Sequence, residues 1–205
     1  MLQGRTLKGG RRKALQFSTV ESLLEAVRQH YHRVDLHRHF NGDMDRVTKA
    51  QVALDTAEDA MLALSNYQSG DIGSDDGEKY LKLYGFLQAV FLQQDAIKEL
   101  HRLFVGTFAQ PGITSAWKQL RELRNLTVGH PLEKGLGKES RKRTFITRVS
   151  LRKGSFDYQV WDQATGRTSF ESADLSPRYA AYEREAASYM RKIISVLSGM
   201  PDLKV

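Results

Sequence analysis

"EKYLKLYGFLQAVFLQQDAIKELHRLF", residues 78–104, decides the fold. No proline interrupts it. Tyr80, Leu83, Tyr84, Leu87, Phe91 and Leu100 recur along one helical face, and Leu81, Phe86, Val90, Leu92 and Ile97 add apolar groups around it. A helix that is apolar on more than one side sits in the middle of a bundle or at an interface between bundles. The stretch therefore predicts a mainly α protein with this helix at its centre.

Its neighbours supply the partners. Upstream, Ser18 and Glu21 make a capping-box pattern before "VESLLEAVRQHYHRV", where Val20, Leu23, Leu24, Val27, Tyr31 and Val34 fall at helical spacing. "NGD" at 41–43 breaks that helix. Val47, Ala50, Leu54, Ala57, Met61 and Leu64 then follow alternating steps of three and four, a seam for another helix. "SGDIGSDDG", 69–77, reads as a linker with a helix N-cap, since its glycine and glutamate spacings fail those of a calcium loop. Downstream of "AQPG", "ITSAWKQLRELRNLTV" predicts a fourth helix with Ile113, Trp117, Leu120 and Leu123 inward, stopping near Gly129 and Pro131.

After a basic, glycine-containing loop the period changes to two. In "TFITRVSLRKGSFDYQVWDQATGRTSFES", Phe145, Val149 and Leu151 alternate with Arg148 and Arg152, and "RKGS" and "DQATGRT" read as hairpin turns. Ser176 and Pro177 open a last helix with Tyr182, Ala186, Tyr189, Ile193 and Leu197 as its stripe. The expectation is four or five helices with an inserted antiparallel β-hairpin or three-stranded sheet at about 144–172. Residues 1–17 are a basic, flexible arm, and 18–205 form a single domain.

Composition narrows the chemistry. The chain has 205 residues and no cysteine, which removes disulfides, thiol catalysis and cysteine-bound zinc. No run of 18 or more apolar residues is present, so no membrane span or membrane partner is expected, and the basic start lacks the apolar segment of a secretory signal. A cytoplasmic protein is the expectation. The net charge of +7 favours polyanion partners, nucleic acid first. His30, His32, His37 and His39 cluster in sequence but show no Glu-x-x-His or His-x-x-x-His spacing, so they read as solvated or partly packed side chains. No metal or cofactor is expected.

Two constellations carry chemistry. The first is "RELRNLTVGHP", 121–131, at the end of the fourth helix. Arg124 is a permanent planar cation suited to gripping a phosphate with two hydrogen bonds. His130 titrates near neutrality and can move a proton, and Asn125 can hold its neighbours in place. These residue types serve metal-free RNA cleavage, in which the 2′-hydroxyl attacks the adjacent phosphorus. A helix C-cap would use the same residues against the helix dipole. The second is the run Lys138, Arg141, Lys142 and Arg143, flanked by Lys134, Arg148, Arg152 and Lys153. It suits the phosphate backbone of RNA as well as it suits a solvated loop.

"RNLTVGH" resembles the Arg-x(4–6)-His signature of the HEPN (higher eukaryotes and prokaryotes nucleotide-binding) superfamily, including the polar residue that follows the arginine. The long aromatic-rich helix "YLKLYGFLQAVFLQQDAI" before the motif helix fits the same pattern. The resemblance covers 18–131 and 177–199, and the sheet stands outside it as an insertion. It implies a HEPN-like four- to five-helix bundle. It also implies a metal-independent endoribonuclease that leaves a 2′,3′-cyclic phosphate, with Arg124, Asn125 and His130 as the site. Such proteins often belong to toxin–antitoxin or phage-defence systems. They act as homodimers with two motifs facing one cleft, and an antitoxin protein is then a further partner. Many members of the superfamily are silent and only bind RNA or protein. A helical scaffold with no site is the third reading.

Overall fold

A computed structural model describes residues 19–132 and 141–203. Six α-helices and one small sheet follow one another: α1 (Val20–Arg33), the single turn α2 (Leu36–His39), α3 (Met44–Ser69), α4 (Asp76–Val105), α5 (Ala116–Arg124), β1 (Lys142–Ile146), β2 (Ser155–Asp162), β3 (Arg167–Asp174) and α6 (Leu175–Ser198). The protein is a mainly α bundle with an inserted three-stranded antiparallel sheet of order β1-β2-β3. The sheet is slightly longer than the expected 144–172.

α4 is the axis of the bundle. It packs against α3, α5 and α6, while α1 lies against α6 and α3. Leu83, Phe86, Leu87, Val90, Ile97 and Leu100 are buried, as are Gln93 and Gln94. Those two amides are satisfied internally. Tyr182 donates to Gln93 Oε1 at 2.9 Å, and Gln94 Nε2 donates to the Trp117 carbonyl at 3.0 Å. Burying an amide without a partner is costly, so these bonds also fix how α5 and α6 sit on α4.

Helix boundaries follow local chemistry. Thr19 with Ser22, rather than Ser18 with Glu21, caps α1, and Ser18 lies outside the described residues. Asn41 and Gly42 adopt positive φ (53° and 82°) to turn the chain into α3, whose cap is Asp43. Asp75 accepts from the Glu78 backbone at 2.9 Å to start α4, as the acidic linker suggests. α4 ends on Gly106 in the left-handed region, ahead of "AQPG". Ile113 is the clear miss. It precedes the Ser115 cap of α5 and is 91% exposed. The basic arm at 1–17 also lies outside the described residues.

The sheet docks at one end. Gly154, at φ 79°, accepts from the Leu175 backbone at 2.7 Å, and Lys153 donates to the Gln68 carbonyl at 2.8 Å. The expected alternation of Phe145, Val149 and Leu151 fails. A 3₁₀ turn at Arg148–Ser150 breaks the period, which exposes Phe145 and Val149 and buries Leu151.

Candidate functional site

α5 is held at both ends. Ser115 caps its first turn, and the Glu185 carboxylate of α6 accepts from the Ala116 and Trp117 backbone at 2.9 and 3.0 Å. A negative group at a helix N-terminus meets both the free N–H groups and the helix dipole. Trp117, Leu120 and Leu123 are buried, which fixes the rotation of α5 and turns Arg121 and Arg124 towards α4.

Both arginines lie on the Phe91 ring, with guanidinium carbons 4.1 and 4.2 Å from its centroid. Their polar partners differ in kind. Arg121 pairs with Asp95 at 2.8 Å. Arg124 has two neutral partners. Its Nε and Nη2 both donate to Gln88 Oε1, at 3.1 and 2.8 Å, and its Nη1 donates to Asn125 Oδ1 at 3.2 Å. A guanidinium has five N–H donors. Three are used here among the described residues, which leaves one on each terminal nitrogen. No carboxylate comes within salt-bridge distance of Arg124 among the described residues. Burial first, and the neighbouring Arg121 second, lower its pKa from the ordinary arginine value, against a smaller opposing pull from Asp95. The cation is destabilised where it sits and gains from an incoming anion.

Beyond Arg124 the helix widens into a π turn, Asn125–Gly129, which closes with the His130 N–H donating to the Asn125 carbonyl at 2.8 Å. Buried Thr127 bonds back to the Leu123 carbonyl at 2.8 Å. Gly129 lies directly against Arg124. A Cβ there would stand 3.1 Å from the guanidinium carbon and closer still to Nη1. His130, at the end of the turn, is exposed.

Arg124 and Asn125 are therefore in contact, and His130 shares their turn. The basic run divides. Lys134 and Lys138 lie outside the described residues. Arg141 and Lys142 are exposed at the start of β1, and Arg143 stacks over Trp161 at 4.8 Å, on the sheet rather than on the α5 site. The two regions meet through the backbone, where Thr144 donates to the Pro131 carbonyl at 2.8 Å. Of the histidines, His30 faces Ser198 Oγ at 3.2 Å and His39 stacks on Phe104. Among the described residues no three His, Cys, Asp or Glu side chains come together as a metal site, and no helix is long and apolar enough to cross a membrane. Gln88, Phe91 and Gly129 escape a sequence reading, because the first two look like routine members of α4 and glycine like a helix stop.

No family model matches this chain, and no curated protein or solved structure resembles it significantly.

Proposed function

We propose that the protein is a metal-independent endoribonuclease of HEPN type. The observation that carries the reading is the Arg124 guanidinium, half-buried, oriented by neutral amides, and without a carboxylate partner among the described residues. Such a group retains its charge for a phosphate, and its two unspent N–H groups suit a two-pronged grip. Asn125 orients the guanidinium. His130, one wide turn away and open to solvent, acts as the acid or base as the RNA 2′-hydroxyl attacks phosphorus. Arg141, Lys142 and Arg143, with Lys138 on the connecting loop, hold the RNA backbone. An antitoxin protein as partner, and a role in phage defence, belong to the same proposal.

The proposal includes a homodimer. Leu81, Tyr84 and Leu92 are exposed along one stripe of α4, and that stripe passes through Gln88, the residue that clasps Arg124. Two copies meeting there would bring two arginine sites to one cleft.

Incubating total RNA with the pure protein and a chelator, beside Arg124→Ala and His130→Ala, tests the reading. Cleavage by the parent alone, leaving 2′,3′-cyclic ends, is the expected result. Intact RNA with the parent dimer would leave the second reading, a silent RNA-binding module. The close internal clasp of Arg124 is the feature that favours that alternative.

A further inference from the structure

We propose that the outward face of the β-sheet is a stacking platform for single-stranded RNA. The ligand follows from the ribonuclease reading above, but the platform does not require that cleavage occur.

Side chains alternate across a strand, so the register sorts them into two faces. Thr144, Ile146, Phe156, Tyr158 and Ala173 share the face that packs on the bundle: Thr144, Phe156 and Ala173 are buried, and Ile146 and Tyr158 lie partly buried against the core. Arg143, Phe145, Gln159, Trp161 and Phe170 share the other. Pairing aligns Phe145, Gln159 and Phe170 in one cross-strand row and sets Arg143 beside Trp161 in the next. Phe145 is 58% exposed and Phe170 is 78% exposed. Leaving two phenylalanines in water on an open sheet is unfavourable unless something covers them.

The chemistry around them selects the occupant. Unpaired bases lie flat on aromatic rings, and a guanidinium plane or an amide between the rings meets their edges. Gln159 lies between the two phenylalanines, and the Arg143–Trp161 stack holds a cation at the same surface. Arg141, Lys142 and Arg143 bring positive charge to the end of the sheet that abuts Pro131. The acidic residue of this face, Asp157, lies towards the opposite end and accepts from Ser172 Oγ at 2.6 Å. A strand of RNA with its bases on the rings thus runs its phosphates past the arginines towards His130. A duplex hides its bases and gains nothing from the rings.

Fluorescence anisotropy with a short labelled single strand of mixed sequence tests this on the full chain carrying His130→Ala, so that the RNA survives. Phe145→Ala and Phe170→Ala should each weaken binding about 5- to 100-fold. Their salt dependence should match the parent's, because no phosphate contact is lost. Arg143→Gln should reduce the log–log salt slope by about 0.7. A fully paired duplex should bind the parent and Phe145→Ala alike. Thermal melts should coincide, because the rings are exposed. A Phe145→Ala/Phe170→Ala double variant that binds as tightly as its parent overturns the platform, as does a parent that shows no salt-dependent affinity for the strand. The two proposals fail separately. If the ring variants lose binding while wild-type protein leaves RNA intact, the platform stands and the enzyme falls. If cleavage needs Arg124 and His130 but binding ignores the rings, the reverse holds.

Discussion

The Arg124 guanidinium lies directly against the Cα of Gly129, in the space that any larger residue would fill. The obstructed atoms are the far end of a flexible side chain, and Gly129 is not among the residues at positive φ. Gly129→Ala should therefore leave the fold nearly untouched and push the guanidinium out of place. We expect a melting temperature within a degree or two of wild type, with RNA cleavage lost as fully as in Arg124→Ala. An alanine variant that cleaves normally would remove Arg124 from the mechanism.

Gln88 holds Arg124 without neutralising it. Gln88→Glu would keep the clasp and add a carboxylate at the same distance. Stability should stay level or rise, since a charged pair replaces a neutral bond. Phosphate binding should weaken, and cleavage with it. Unchanged RNA affinity in Gln88→Glu, measured by titration at fixed salt, would show that the charge of Arg124 faces no anion.

Glu185 acts on stability alone. Its carboxylate caps α5 from across the bundle. Glu185→Ala should cost about 1–2 kcal/mol, a fall of roughly 2–8 °C in melting temperature. Calorimetry reads this directly. A melt identical to wild type would mean that Ser115 alone suffices as the cap.

Acid should destabilise the protein in the range where histidine titrates. Burial and a nearby arginine lower the pKa of His30 and of His39 below the usual 6.5. The unfolded chain then binds more protons than the folded one. This part of the stability is complete above pH 6.5 and is lost as pH falls through the lowered values. Both side chains are partly solvated, so the effect is small. Melting temperature should decline from pH 7.5 to 5.5, and His30→Asn/His39→Asn should flatten that decline. A steeper decline in the double variant would assign it to other groups.

Light scattering at micromolar protein tests assembly. The parent is expected as a dimer and Leu81→Glu as a monomer, because a charge on the exposed stripe of α4 cannot be buried. Leu81 is 73% exposed, so the substitution should not harm the monomer fold. A parent of strictly monomeric mass would rule out the shared cleft.

The helical architecture is legible in the sequence because periodic stripes report burial directly. Val20 to Tyr31, Ala50 to Leu64 and Trp117 to Leu123 are buried as their spacing requires. Ile113 misleads because its helical phase holds but its helix starts later, at the Ser115 cap. Phe145 and Val149 mislead because one 3₁₀ turn between them cancels the alternation. Arg124, Asn125 and His130 stand out by residue type. Their supports do not. Gln88 lies 36 positions earlier in sequence and reaches Arg124 only through the packing of α5 on α4. The outward sheet face is hidden for the same reason: parity gives two faces, but only the docking of Gly154 and Leu175 says which one the bundle covers.

The π turn between Arg124 and His130 makes this segment sensitive to length rather than to composition. Its wide ring spends one residue more than an α turn would. Deleting any single residue between Leu126 and Val128 would let the backbone close as ordinary helix, and each α residue turns the chain by about 100°. Everything beyond would emerge on another side of α5, His130 included, and the Pro131 carbonyl would no longer reach Thr144. Conservative substitutions along this turn are thus tolerable where a one-residue indel is not, and chain length here is as much a functional parameter as the arginine.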